Sequence, residues 1–223
     1  MTNLFTKKTY FFLFMFFLIN LLLIIFFPSE SGDTNTIKIV AKNILYNYCI
    51  SLSNPLNAEC IPHWGSNQGP GYPFLVSISL YLFGENLNPV RFFQMTIHLG
   101  VLIYFIFKLQ KLLNIKINNF FILIIIFSPL TFGWHRYVLT ESISFSLTIF
   151  LLTNLLPIFF NKKVNFVLIG IIVSIGFFIR YDFIFYILPI CLLLFITQNF
   201  KSFLISNLKI SIISILIVSP YLY

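Results

Sequence analysis

Few side chains in this sequence could take part in acid–base chemistry. The chain of 223 residues has six carboxylates, and Asp33, in the tetrapeptide Ser31-Gly32-Asp33-Thr34, closely follows the first long apolar run. A carboxylate held at a membrane surface could act as the general base for an acceptor hydroxyl. It could equally cap the helix that the pattern predicts to begin near Ile37, and the two roles are compatible.

Further charged groups stand at the junctions between later apolar runs. Glu141 opens a run that is otherwise almost uncharged, shortly after Arg136. A helix dipole favours a carboxylate there, yet ionisable groups at membrane depth usually face a cavity or a partner. Arg180 and Asp182 could pair or anchor the interface. An arginine can also bind a phosphate through two parallel hydrogen bonds.

The segment 62–73 collects prolines, glycines and aromatic residues just before an apolar block. Turn chemistry alone would explain it, but tryptophan and tyrosine beside Asn and Gln also suit sugar recognition. We therefore count Tyr72 among the candidate substrate-binding residues, together with His63, Arg136, Glu141 and Arg180. His63 could donate to a phosphate or lie at the interface. No second histidine close to it in sequence completes a metal-ligand pair, so we predict no metal site there.

The elements that must position these residues are apolar. Hydrophobic residues make up 59% of the chain and charged residues 9%, far below the roughly 25% charged residues of a soluble domain. Several runs are long enough to cross a hydrocarbon core about 30 Å thick as a helix, and the alternation of a membrane barrel is absent. The predicted fold is all-α: a polytopic transmembrane bundle of about seven spans, with a long first outer loop that carries short interfacial helices.

The chain divides into three predicted regions. Residues 1–27 form the cytoplasmic N-terminus and the first span, residues 28–91 the outer loop with the candidate base, and residues 92–223 a helical bundle that we expect to be truncated at its C-terminus. The first span is an anchor rather than a signal peptide, because it is long and lacks a small-residue cleavage site. The block 74–83 is too short to span. The seven predicted spans cover residues 10–27, 92–107, 120–134, 139–160, 164–179, 183–196 and 210 onward.

The net charge of +8 fits membrane topology better than nucleic-acid binding, because the basic residues form short clusters between apolar runs. If Lys7 and Lys8 are cytoplasmic and the block 74–83 does not cross, the later lysine clusters are also cytoplasmic. All six acidic residues, with Arg136 and Arg180, then lie outside. We therefore expect the bilayer as a partner, a polar site on the outer face, and no nucleic acid.

The three cysteines show no C-x-x-C spacing. Cys49 and Cys60 share the long loop and could form a disulfide in an oxidising compartment, or remain two thiols.

The order of these elements resembles the GT-C glycosyltransferases, multi-span enzymes that take sugars from polyprenyl-phosphate carriers and include protein O-mannosyltransferases and aminoarabinose transferases. The resemblance covers nearly the whole chain. It rests on five features in sequence order: Asp33 after the first span, Pro-Gly-Tyr-Pro at 70–73, Arg91 after Phe83-Gly84, the pair Thr140-Glu141, and Arg180-Tyr181-Asp182.

The resemblance implies an inverting transfer of a hexosyl or pentosyl group from a polyprenyl-phosphate donor to a lipid, glycan or protein at the outer face. It implies Asp33 as general base, with Arg180 stabilising the departing phosphate and Glu141 lining the pocket. The expected location is the bacterial inner membrane, in a multi-pass protein. Many members have an acidic pair at the first-loop site, whereas Thr34 follows Asp33 here, so a divalent metal stays an open question.

Two other classes of function remain at this point. A transporter or flippase of a lipid-linked sugar or other solute would need discontinuous helices and charges buried within spans. A non-enzymatic scaffold would leave the long acidic outer loop without a role. The clustering of acidic residues at one predicted face favours the glycosyltransferase.

Overall fold

The computed structural model describes residues 6–52, 69–128 and 133–219, and the regular elements in these ranges are helical. They comprise nine α-helices and three short 3-10 helices, which we label η. In chain order they are α1 (Lys7–Phe26), α2 (Gly32–Asn47), α3 (Gly71–Phe83), α4 (Asn88–Leu113), α5 (Asn119–Ile126), η1 (Trp134–Arg136), α6 (Thr140–Leu155), η2 (Leu156–Phe160), α7 (Phe166–Ile179), η3 (Tyr181–Tyr186), α8 (Ile187–Thr197) and α9 (Phe200–Val218).

Four helices in the described ranges are long and apolar enough to cross a membrane: α1, α4, α6 continued by η2, and α9. Hydrocarbon offers the backbone no hydrogen-bond partner, so a spanning segment must satisfy its own amides within a helix. Large apolar side chains such as Phe14, Phe185 and Leu188 are exposed on the helix surfaces, as lipid contact requires. The prediction of an all-α helical membrane protein is confirmed.

The remaining apolar helices are shorter. Helix α3 has 13 residues and α7 has 14, fewer than the roughly twenty that cross a bilayer upright. That α3 does not cross remains a prediction. The predicted span 183–196 is split into η3 and α8, since Pro189 lacks an amide proton and is tolerated only near a helix start. The predicted span 120–134 is described as helix only over Asn119–Ile126, and residues 129–132 lie outside the described ranges.

The predicted start of the last span at residue 210 is wrong, because α9 begins at Phe200. Asn199 caps it by accepting a hydrogen bond from the amide of Ser202. Lys201 and Lys209 lie within this helix. A long lysine stem can lie along apolar surface while its ammonium group stays in polar surroundings, so these charges do not end the helix.

Helix α2 is the amphipathic helix expected in the first loop. Its Ile37 and Ala41 are fully buried in one cluster with Tyr72 and Val76 of α3. The helix begins before Ile37, at Gly32, and Ser31 is its N-cap: Ser31 and Thr34 form a reciprocal capping box. The alternative role of Asp33 as N-cap is therefore wrong, because a serine two residues earlier already satisfies the free amides.

Glycine allows close packing along α7. Gly170 faces α9, where an added methyl group would lie 3.0 Å from Ile213 Cβ and 3.1 Å from the Ile210 carbonyl oxygen. Gly176 faces the buried ring of Phe183 in η3, and an added methyl group would clash with that ring. Small residues let helices approach closely in a membrane, where lipid tails remove the usual hydrophobic drive for association. Gly176 thus lets η3 fold back on α7 next to Arg180.

We predict that Gly176→Ala lowers the melting temperature in detergent, because overpacking a tight contact costs about 1–3 kcal/mol. Gly100→Ala is the matched control: it is also within a helix, but nothing lies within 4 Å of the added methyl group. The control should be neutral or slightly stabilising, since alanine favours a helix over glycine. Adding Phe183→Leu to Gly176→Ala should recover part of the loss, and equal melting of the two alanine variants would refute the packing.

Candidate functional site

The candidate residues in the described ranges meet at one end of the bundle. Helix α1 ends there at Phe26, α4 and α6 begin there, and α7 ends there at Ile179. The chain after α1 pairs with the chain after η1 through a parallel bridge between Ser29 and Tyr137. The end of α7 joins the same region, because the amide of Gly69 donates to the Ile179 carbonyl over 3.0 Å.

Arg180 lies between two carboxylates. Its Nη1 contacts Glu141 Oε1 closely, and its Nη2 is 2.9 Å from Asp182 Oδ2. Burial lowers the pKa of Arg180, but the hydrogen bonds and charges of Asp182 and Glu141 outweigh it, so the pKa is raised and the group stays cationic. Three residues from two helix junctions thus form one ionic cluster with a net charge of −1.

Arg136 is in a different electrostatic situation. Its Nη2 donates to the Tyr137 hydroxyl over 2.8 Å, and its guanidinium lies 4.8 Å from the centre of the Tyr137 ring. Within the described ranges no carboxylate is in ion-pair range of it. Arg136 also lines a cavity of about 590 Å³, together with Trp134 and Ser31. A cation beside a cavity and an aromatic ring is a favourable place for an anionic group that carries a sugar.

Asp33 lies two residues beyond Ser31, which lines that cavity. It is in the first turn of α2 with an exposed side chain, and no described residue accepts or donates to its carboxylate. The capping box of Ser31 and Thr34 fixes the backbone around it, and Thr34 Oγ1 also donates to the Val138 carbonyl over 3.3 Å. The carboxylate therefore lies at a capped helix start without a partner among the described residues.

Tyr72 is fully buried rather than exposed to the cavity. Its hydroxyl donates to Gln94 Oε1, and Gln94 Nε2 in turn donates to the Tyr137 carbonyl over 3.0 Å. Burial, and next the charge of Glu141, raises the pKa of Tyr72 well above its usual value, so the phenol keeps its proton. In this arrangement Tyr72, through Gln94, helps to position the backbone at Tyr137. Its contact with substrate remains a prediction.

Arg91 was not among our candidate site residues, yet its buried side chain makes three hydrogen bonds at this end. Its Nε donates to the Arg136 carbonyl over 2.8 Å, its Nη2 to the Ser29 carbonyl over 3.2 Å, and its Nη1 to Asn88 Oδ1 over 2.8 Å. Only 4% of the residue is exposed. One guanidinium thus joins the start of α4, the entry to α2 and η1.

A second group that sequence analysis missed is a pair of buried histidines. The rings of His98 and His135 are 4.8 Å apart, and each Nδ1 bonds a serine of α6, Ser146 at 2.9 Å and Ser142 at 2.8 Å. Burial lowers the pKa of His135 to about 4, so it is neutral at pH 7. Neither Nε2 has a hydrogen-bond partner among the described residues. Each such nitrogen costs about 1–3 kcal/mol, and the pair joins η1, which contains His135, to helix α4, which contains His98.

The missed residues share one signal in the sequence. Arg91, Gln94 and His98 stand at i, i+3 and i+7 in an otherwise apolar helix and therefore share one face. All three are buried. A polar stripe of this kind predicts an internal face in a membrane helix.

Some predictions fall outside the described residues. His63 is one, and so is Cys60, although Cys49 is disulfide-bonded. In the ranges 6–52, 69–128 and 133–219 no three or more His, Cys, Asp or Glu side chains group as metal ligands would.

A family model described as dolichyl-phosphate-mannose-protein mannosyltransferase matches residues 67–223, more than half of the chain. The chain belongs to this mannosyltransferase family. Neither a curated protein nor a solved structure matches it. The predicted GT-C resemblance is thereby confirmed, and the chain is placed among membrane glycosyltransferases that use a lipid-linked sugar donor.

The match to the mannosyltransferase family covers the ionic cluster, the two histidines and Arg91, but it begins after Asp33. The matched region therefore carries no information about Asp33.

We predict that Arg91→Lys destabilises the protein although it keeps the charge. A single ammonium cannot reach the Arg136 and Ser29 carbonyls and Asn88 together, and one buried acceptor left unpaired costs about 1–3 kcal/mol. The measurement is the melting temperature in detergent. Lys111→Gln, at the exposed end of the same helix, is the control and should stay within about 0.5 kcal/mol of wild type. Wild-type melting of Arg91→Lys would mean that charge alone suffices.

Proposed function

We propose that this protein transfers a sugar from a polyprenyl-phosphate-linked donor to an acceptor at the outer membrane face, with inversion, using Asp33 as general base and Arg136 as the phosphate-binding cation. The observation that carries the proposal is the cavity of about 590 Å³ at the start of α2. It has an arginine without a carboxylate partner among the described residues on one side, and an exposed carboxylate two residues from its wall.

Arg136 is better suited than Arg180 to the phosphate. Both terminal nitrogens of Arg180 already contact carboxylates, so a phosphate would have to displace Glu141 or Asp182. Among the described residues, Nη2 of Arg136 contacts a neutral hydroxyl and the side chain has no carboxylate partner, and Trp134 beside it is 43% exposed and can pack against a sugar ring. We therefore assign the ionic cluster of Arg180 to holding α6 and η3 together at the edge of the site.

The reaction is a single displacement. The acceptor hydroxyl gives its proton to the Asp33 carboxylate while its oxygen attacks the anomeric carbon of the donor. The bond from that carbon to the phosphate oxygen breaks, and the lipid phosphate leaves with the electron pair. Arg136 stabilises the negative charge on the leaving phosphate, an electrostatic contribution that grows as the bond lengthens. Because attack and departure occur on opposite faces of the carbon, the anomeric configuration inverts.

The family match supports transfer chemistry over the alternative of a transporter or flippase. A transporter would use the same lipid-linked sugar but would leave its glycosidic bond intact. Release of free polyprenyl phosphate, coupled to acceptor glycosylation, therefore separates the two functions.

We predict that Asp33→Asn in membranes supplied with a polyprenyl-phosphate sugar donor lowers the transfer rate by about 10²–10⁴-fold, the usual contribution of a general base. Folding should survive, because Ser31 caps α2 and the lost charge contributes only about 0.3–1 kcal/mol through the helix dipole. Asn35→Ala, exposed on the same helix turn, is the control and should keep normal turnover. Normal turnover in Asp33→Asn would remove Asp33 from the mechanism.

We predict that Arg136→Lys weakens donor use by roughly ten- to hundredfold in kcat/KM, since an ammonium cannot reproduce two parallel contacts to a phosphate and a charged hydrogen bond contributes about 1.5–3 kcal/mol. Arg180→Lys should change kcat/KM for the donor by less than about tenfold, because the partners of Arg180 are the protein's own carboxylates. The reverse pattern, with kcat/KM for the donor falling only in Arg180→Lys, would mean that Arg180 rather than Arg136 binds the phosphate.

A further inference from the structure

A second cavity lies at the other end of the bundle. Helix α6 with η2 runs 21 residues away from Glu141, about 30 Å, and the turn into α7 and the turn between α8 and α9 meet there. Between them is a cavity of about 430 Å³. Neither the ionic cluster nor the cavity beside Asp33 shares a residue with it, so the proposed sugar transfer gives it no role.

The charged side chains that line this cavity are all positive. Lys162, Lys163 and Lys209 line it, and no Asp or Glu does. The ion pairs of the described residues involve Lys38, Lys42, Arg91 and Arg180, so none of the three cavity lysines is neutralised within that part of the chain. Three ammonium groups around one cavity repel one another, and an anion placed between them removes that cost.

Two helices add to this positive potential. Helices α7 and α9 both begin at the cavity, and their first turns are capped by Asn165 and Asn199. The amino end of a helix carries a partial positive charge and free amides, which favour an anion. The Ser202 hydroxyl and the side chains of Asn161 and Gln198 supply neutral polar groups around the same cavity.

The position of Lys209 points to a ligand at the membrane. It is the tenth residue of the spanning helix α9, about 14 Å along the helix from its start, where a charged side chain is costly without a polar partner. Its side chain lines the cavity beside Ile158, Phe166 and Ile205. A ligand that fits must offer an anion to the lysines and an apolar part to these side chains.

We propose that this cavity binds the head group of an anionic phospholipid, with the phosphate between Lys162, Lys163 and Lys209 and the acyl chains along Ile158, Phe166 and Ile205. A basic pocket between spanning helices is a recurring way to hold such a lipid. The lipid connects the η2–α7 turn to helix α9, because its phosphate lies between Lys162 and Lys163 of the turn and Lys209 of the helix, whose charges otherwise repel each other.

The test is lipid binding by the purified chain in neutral detergent, followed by native mass spectrometry and by the melting temperature. Phosphatidylglycerol should bind and raise the melting temperature, whereas phosphatidylcholine and inorganic phosphate at equal concentration should not. The triple variant Lys162→Gln/Lys163→Gln/Lys209→Gln should bind phosphatidylglycerol on the order of a hundredfold more weakly, from about fivefold for each lysine near an anionic lipid.

The matched control removes three exposed lysines from the same end of the bundle but outside the cavity, Lys8→Gln/Lys111→Gln/Lys116→Gln. It should weaken binding by no more than a few-fold. Equal weakening in both triple variants would overturn the proposal in favour of diffuse surface charge. Equal stabilisation by inorganic phosphate would mean a free-anion site, and equal stabilisation by phosphatidylcholine would mean apolar contact alone.

If the pocket variant does not fold, Lys209→Met alone should still weaken phosphatidylglycerol binding about fivefold, and unchanged binding would overturn the proposal.

Discussion

The candidate site depends on one buried guanidinium. Arg91 brings three parts of the chain together because its charge, almost completely removed from solvent, must be satisfied by protein oxygens. Two of these oxygens are backbone carbonyls, of Ser29 and Arg136, and the Thr34 side chain adds a further bond from the start of α2 to the Val138 carbonyl. Asp33 follows the first of these carbonyls by four residues, and Arg136 carries the second. The clamp therefore sets the distance between the proposed base and the proposed phosphate-binding cation.

The two ends of the bundle differ in their charged side chains: one has carboxylates paired with basic residues, and the other has lysines. The described carboxylates lie at the site end, where Arg180 connects two of them and Lys38 and Lys42 both contact Glu85 over 2.8 and 2.7 Å. The opposite end carries the three lysines of the second cavity without a described carboxylate nearby. Ionic clusters hold the helix ends together on one side. On the other side we infer that a lipid anion does the same.

Two pairs of polar side chains connect the spanning helices α4 and α6. His98 bonds Ser146, and Tyr104 donates to Asn154 Oδ1 over 3.0 Å, both between α4 and α6. A polar group without a partner costs most where water is absent, so such pairs fix how two helices pack. They also align the two helices whose first residues, Asn88 and Thr140, lie at the site.

Much of the fold was determined by the sequence itself. Long apolar runs in a chain with 9% charged residues have to be helices, because a lipid environment leaves the backbone no other way to satisfy its amides. The amphipathic spacing around Ile37 predicted α2, and the order of charged junctions predicted the family. Boundaries marked by lysine were less reliable, as α9 shows, because a lysine side chain can leave the hydrocarbon while its backbone remains helical.

Our choice of Arg136 over Arg180 as the proposed phosphate-binding residue depends on tertiary structure. In the sequence, Arg136 and Arg180 look alike, since each stands at a junction between apolar runs with a carboxylate within five residues. Only the packing of α6 against α7 brings Glu141 to Arg180 and leaves Arg136 beside a cavity. Likewise, the spacing of Arg91, Gln94 and His98 indicates a common face that our sequence analysis missed, and it does not indicate which carbonyls and rings that face meets. Pair interactions depend on distances of a few ångströms between residues far apart in the chain, and those distances exist only once the helices have packed.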